Sequence, residues 1–149
     1  MTDVQASINV ELKRATQNEQ RLLHFLNTNT TRTFKKTKNE FDCFDLRSKS
    51  NGSTIYIELK TRFIPKDKYP TTIIGTNKIQ HATKKGEKKH RQFIYIFEYN
   101  KKYFFIEHNT KLFSTFQTRI ITRQDRQVSK LHTEIPVKLL KPISELILQ

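Results

Sequence analysis

The run Ile55-Tyr56-Ile57-Glu58-Leu59-Lys60 sets a carboxylate and an ammonium two residues apart inside an apolar stretch. In an extended chain, side chains two apart share a face. Ile55, Ile57 and Leu59 make one face, and Tyr56, Glu58 and Lys60 make the other. Asp45 lies 13 residues before Glu58, with Asn51-Gly52 between them. Asn-Gly is a strong hairpin signal because a two-residue type I′ turn needs positive φ at both positions. A two-residue loop there pairs Ser50 with Ser53, and counting outward puts Asp45 opposite Glu58. Directly opposed carboxylates repel and destabilise a strand pair, so this pair calls for positive charge. Lys60, on the same face, supplies one unit. A divalent cation supplies two. Mg²⁺, or Mn²⁺ in its place, is held by one or two carboxylates and keeps coordination positions for water and phosphate oxygens. The chemistry open to such a set is phosphodiester hydrolysis. Metal would lower the pKa of a bound water, and the lysine would orient that water or stabilise the phosphorane-like transition state.

The tripeptide alone carries little weight. With 14 acidic residues and 19 lysines, chance yields about two acid-any-Lys triplets in this chain. It contains three: Glu11-Leu12-Lys13, Glu58-Leu59-Lys60 and Glu87-Lys88-Lys89. Only the second lies in an apolar strand with an acid across a hairpin. Alone, Glu58 and Lys60 read as an exposed ion pair contributing about 0–1 kcal/mol.

The elements that must hold these residues follow from periodicity. Residues 41–61 read as an antiparallel hairpin, with Phe41, Cys43 and Asp45 on one face and Asp42, Phe44 and Leu46 on the other. Residues 15–27 carry Leu22, Leu23, Phe25 and Leu26 at helical spacing, with Glu19 on the polar side. Residues 71–85 read as a loop into a helix ending near Gly86. "RQFIYIFEY" and "KYFFIEH" read as strands joined at Asn100-Lys101, their aromatics alternating as core packing. "FQTRIIT" reads as a further strand, 122–133 as a mobile basic loop, and "KPISELILQ" as a short helix with Pro142 in its first turn. The first dozen residues are expected to fray. The order is helix, antiparallel strands, helix, strands. That is an α/β class with a mixed sheet flanked by helices, in a single domain for 149 residues.

Composition narrows the partner. The formal net charge is +14 and the pI about 10.0, well beyond the magnitude of about 2–8 that solubility asks of a small domain. A polyanion is the expected partner, nucleic acid ahead of a membrane surface. No apolar run approaches the ~20 residues of a membrane helix, so no membrane partner is expected. One cysteine, Cys43, permits no intrachain disulfide. The first residues show no apolar signal core. Both point to an intracellular setting, cytoplasm or nucleus, rather than secretion. Five histidines lack zinc spacing, and neither a Gly-rich phosphate loop nor a GxSxG elbow is present.

The segment "FDLRSKSNGSTIYIELKTR" resembles the core of PD-(D/E)xK nucleases. The likeness is nearest to the Holliday-junction-resolvase branch and to small nucleases of large DNA viruses. It spans about residues 15–106. It implies a restriction-endonuclease-like fold, an Mg²⁺- or Mn²⁺-dependent endodeoxyribonuclease activity, and an intracellular site of action, in a host cell if the protein is viral. By the resemblance, Asp45 and Glu58 are the metal ligands, Lys60 handles the water, and Glu19 on the first helix supports the ion. Lys78 or Gln80 would face the site from the next helix. The proline usually found before the Asp is replaced by Phe44. Asp42, 16 residues before Glu58, competes with Asp45 for the ligand role; the Asn-Gly register favours Asp45. Lys35, Lys36, Arg62, Lys78, Gln80, Lys84 and Lys85 are candidate contacts to nucleic acid. DNA is the expected substrate, with RNA still open. Two symmetric cuts in a junction would require a C2 dimer, which makes a homodimer a candidate state. The alternative is a non-catalytic nucleic-acid-binding protein on the same fold.

Overall fold

The computed structural model describes residues 2–37, 43–86, 90–124 and 127–148. Its elements are α1 (Asp3–Asn29), β1 (Lys35–Lys36), β2 (Leu46–Ser50), β3 (Ser53–Arg62), β4 (Thr71–Gly75), α2 (Thr76–Gly86), β5 (Arg91–Tyr99), β6 (Lys102–Glu107), α3 (Thr110–Phe113), β7 (Thr118–Arg123), β8 (Val128–Pro136) and β9 (Lys141–Pro142). A six-stranded sheet runs β1-β2-β3-β5-β6-β9, and a three-stranded sheet runs β4-β8-β7. The large sheet is mixed: β3 and β5 are parallel, and its other pairs are antiparallel. A parallel pair needs a long crossover, and here β4 and α2 make it. The expected α/β class with helices flanking a mixed sheet is what forms.

The Asn51-Gly52 turn behaves as its composition requires. Both residues have positive φ, 49° and 80°, and Ser50 pairs with Ser53. Asn100-Lys101 makes a second such turn, with φ of 49° and 65°, between the paired Tyr99 and Lys102.

The large sheet buries both faces. On one, Leu22 and Leu26 of α1 pack against Leu46, Ile55, Ile57, Leu59, Ile94 and Ile96. On the other, Phe93, Tyr95 and Phe97 pack with Ile79 and Ala82 of α2 and with Ile74 and Ile135 of the small sheet. The alternation along β3 and β5 thus feeds two cores at once. The aromatics of "RQFIYIFEY" are core, as expected.

Four expectations need correction. The helix begins at Asp3 rather than near Ala15, because Thr2 caps it, its side chain accepting from the Gln5 N–H at 3.0 Å. Residues 3–12 are therefore helical. Strand β2 starts at Leu46, not Phe41; the chain bends at Phe44 and Asp45, so Phe44 and Leu46 enter opposite cores. Residues 41 and 42 lie outside the described residues. The stretch 122–133 is occupied largely by β7 and β8, whose Ile120↔Leu131 and Thr122↔Ser129 pairs form a ladder; among its residues 125 and 126 lie outside the description. The last residues form β9 on the edge of β6 and a single 3₁₀ turn, Ile143–Glu145. Pro142 suits an edge position, and Ile143, Leu146 and Leu148 pack on the α1 side without needing a helix. In addition, the segment read as a loop before α2 contains β4, which pairs with β8.

Candidate active site

Where β2 ends, β3 continues, and main-chain groups of β3 lose their partner. Asp45 meets this need: its Oδ2 accepts from the Leu59 N–H at 2.9 Å. The ladder closes at Leu46↔Ile57, and one further step brings Asp45 beside Glu58, as the turn register requires. Glu58 is buried, with 2% of its surface exposed. Lys60 Nζ lies 3.7 Å and Lys78 Nζ 3.5 Å from Glu58 Oε2. Lys78, in the first turns of α2, also donates to the Cys43 carbonyl. Glu58 Oε1 is buried with no hydrogen-bond partner.

Burial, and next the charge of Asp45, push the Glu58 carboxyl from its ordinary 4.5 up to about 8. Lys60 and Lys78 pull the other way and do not outweigh them. Glu19 is also raised, first by burial. Its Oε2 faces Lys36 Nζ at 3.0 Å, and the nearby Asp45 raises it further. The three carboxylates therefore form a chain, Glu19 to Asp45 to Glu58. Among the described residues no three ligand-type side chains converge into a complete cage. Two carboxylates are nevertheless enough for Mg²⁺, which keeps several waters. A buried carboxylate oxygen that meets no donor, next to a second carboxylate, fits a hard divalent cation.

These groups line a groove of about 560 Å³. Its second wall is α1, through Glu11, Arg14, Ala15, Asn18 and Glu19. That spacing continues the helical stripe that carries Leu22 and Leu26 into the core. One face of α1 is thus apolar over its last turns and polar where it overhangs the groove. Arg14 and Asn18 were missed from sequence. Extending the 3.6-residue period upstream of Glu19 would have found them.

The helix is fixed to the sheet by a second buried carboxylate. Glu98 of β5 takes Arg21 Nη2 at 2.9 Å on both oxygens and the Thr61 hydroxyl at 3.2 Å. Thr61 adjoins Lys60, so this cluster holds α1 and the lysine strand in register.

The other expected contacts divide. Lys36 is paired with Glu19 and Lys78 with Glu58. Arg62 turns inward: its Nε donates to Thr72 Oγ1 at 3.3 Å and its Nη2 to the Ile73 carbonyl at 2.7 Å. Burial lowers its pKa. Lys35, Gln80 and Lys84 are exposed and Lys85 is half-buried. Lys84 and Lys85 occupy the last turn of α2, away from Lys78. Asp42 lies outside the described residues.

No protein-family model and no curated protein matches the chain. Solved structures do. Hjc of Archaeoglobus fulgidus, a Holliday junction resolvase from an archaeal hyperthermophile, aligns at 13% identity over 91% of this chain and 99% of its own, with a TM-score of 0.59. The chain has the resolvase fold. D212, a nuclease from a fusselovirus, aligns at 16% identity over 97% of this chain and 90% of its own, with a TM-score of 0.45. The resolvase-like fold is the restriction-endonuclease-like nuclease fold that the hairpin motif suggested. Among the described residues, no helix is long and apolar enough to cross a membrane.

Proposed function

We propose that the protein is a Mg²⁺- or Mn²⁺-dependent endonuclease that hydrolyses phosphodiester bonds in DNA. The observation that carries this is the buried Glu58 oxygen that meets no donor, with Asp45 beside it and two lysines at 3.5 and 3.7 Å. Asp45 and Glu58 would hold the ion, and Glu19 would support it. When bound, the metal supplies an acidified water and positive charge on the phosphate oxygens. Glu58 must give up its proton to become a ligand. Lys60, partly exposed on the same face, then orients the attacking water and offers charge to the transition state. Lys78, further inside, holds Glu58 from behind. Arg14 projects from the α1 wall as a phosphate contact, and Lys35, Lys84 and Lys85 extend the basic surface for a strand's backbone.

The resolvase neighbour's name adds a four-way junction to the substrates worth testing and makes a C2 dimer a state worth measuring. The basic charge and single cysteine support an intracellular nucleic-acid partner. The test is cleavage of linear duplex, single-stranded and four-way-junction DNA in Mg²⁺, Mn²⁺ and EDTA, with Lys60→Ala alongside and an RNA duplex as control. Metal-dependent cutting lost in Lys60→Ala supports the nuclease. Tight binding without cutting in any metal supports the non-catalytic alternative.

A further inference from the structure

Phe63 follows β3 directly and is 78% exposed. It lines the same groove as Asp45, Glu58 and Lys60. A singly exposed phenyl ring is ordinary; this one stands out because it sits at the mouth of the carboxylate groove. It opens the loop 63–70, Phe-Ile-Pro-Lys-Asp-Lys-Tyr-Pro, which interleaves two exposed aromatics with two lysines. Tyr69 is 55% exposed, and Lys68 Nζ lies 5.8 Å from its ring centre.

The loop is held at both ends. Arg62, just before it, donates to Thr72 and Ile73, just after it. The Val137 N–H donates to the Pro70 carbonyl at 2.9 Å. Inside, the Lys68 N–H donates to the Pro65 carbonyl at 3.1 Å, and Lys66 Nζ stands 5.0 Å from the Phe104 ring centre. Phe63 is therefore presented by a stapled platform, and a ligand stacking on it bears little ordering cost. Inward use of Arg62 is part of that staple.

We propose that loop 63–70 is a nucleobase-stacking platform and that Phe63 stacks an unpaired base next to the phosphate held in the groove. The occupant follows from charge and shape. The groove mouth offers cations to a polyanion with Arg14 and Lys60, and an aromatic face beside a phosphate site matches a nucleotide whose base has left its helix. Stacked duplex bases present no free face to it. The platform would thus favour strands with an unpaired base near the bond to be cut over intact duplex. This rests on the groove being the nucleic-acid site proposed above.

The test reads binding in EDTA, so it does not depend on cleavage. Oligonucleotides carry 2-aminopurine either in a single strand, in a one-base bulge, or within intact duplex. The expected result is fluorescence quenching and tighter binding for the unpaired probes. Phe63→Ala should weaken that binding about 5- to 100-fold, leave duplex binding within about twofold, and keep the melting temperature, while Phe63→Trp restores it. Equal binding of all three probes, or an unchanged affinity for Phe63→Ala, overturns the platform. So does a fall in sedimentation mass on Phe63→Ala, which would make the ring a contact between two copies. Cleavage failing in every metal while the unpaired probes still bind through Phe63 would remove the nuclease and keep the platform.

Discussion

Two glutamates are buried in the large sheet, one on each central strand, and they are treated in opposite ways. Glu98, 3% exposed, has both oxygens on Arg21 and one on Thr61. Glu58, 2% exposed, has one oxygen without a donor, two lysines at long range and a second carboxylate at its side. Glu98 is a satisfied structural charge that joins α1 to the sheet. Glu58 is left short of positive charge at a position open to a groove. A fold gains nothing in stability from such an arrangement, whereas a cation site needs it. The difference lies in the second layer: α1 brings Arg21, whose Nη2 reaches both oxygens of Glu98, while the chain just before β2 brings Asp45 to Glu58.

The two carboxylates differ most in what their loss does to cleavage. Lys60→Ala should cut the single-turnover cleavage rate about 100- to 1,000-fold, and Glu58→Gln at least as much, with the melting temperature held or raised. Arg21→Ala should do the reverse. It strands Glu98 as an unpaired buried charge, so urea unfolding should show a loss of about 3 kcal/mol, a drop of roughly 6–12 °C in melting temperature. Equal destabilisation by Glu58→Gln and Arg21→Ala would abolish the distinction between the two carboxylates.

Much of this was legible in the residues. Asn51-Gly52 defines a local turn, and a local turn sets the register that brings Asp45 to Glu58. The alternation of Phe93, Tyr95 and Phe97 against Ile94 and Ile96 describes a strand with two buried faces. What was not legible depends on contacts made far along the chain. Arg62 looked like a free basic residue because nothing nearby shows that Thr72 and Ile73 accept from it. Residues 122–133 looked like a loop because their side chains are mostly polar, and their ladder partners lie in β7 and, at His132 and Thr133, in the distant β4. Glu98 looked like part of a core strand, since its partner is Arg21, 77 residues away. Phe63 carries no signal in the sequence, and only its exposure beside the carboxylates sets it apart.

Glu58 binds its proton more tightly when folded, with a value near 8 against 4.5 in the open chain. Between those values the native state holds more protons than the unfolded one, so stability falls as pH rises. Metal-free protein should therefore lose melting temperature from pH 5 to pH 8, and Glu58→Gln should flatten that slope. Mg²⁺ should act in the opposite sense. Each ion bound displaces the proton, so its apparent affinity should strengthen about tenfold per pH unit up to about 8. A Mg²⁺-induced rise in melting temperature larger at pH 8.5 than at pH 6, absent in Glu58→Gln, is the expected thermal-shift result. The same rise at both pH values would place the ion elsewhere.

The smallest effect comes from His108, a half-buried group satisfied like Glu98 yet shifted toward its neutral form like Glu58. Tyr95 OH lies 3.1 Å from its Nδ1, and the hydroxyls of Thr83 and Thr110 lie 3.2 and 3.1 Å from its Nε2. Burial lowers its pKa from 6.5 to about 4. The unfolded chain takes up a proton across that window and the native state does not, so stability falls as pH drops from 6.5 through 4. This slope is opposite in sign to that of Glu58, and the two overlap between about pH 4.5 and 6.5. Glu58→Gln should bring out the His108 slope, opposed only in part by the raised Glu19, and His108→Gln in that background should remove it. A double variant that still loses stability across pH 6.5 to 4.5 would move the acid sensitivity to another group, and leave Glu58 as the buried carboxyl whose proton the fold holds.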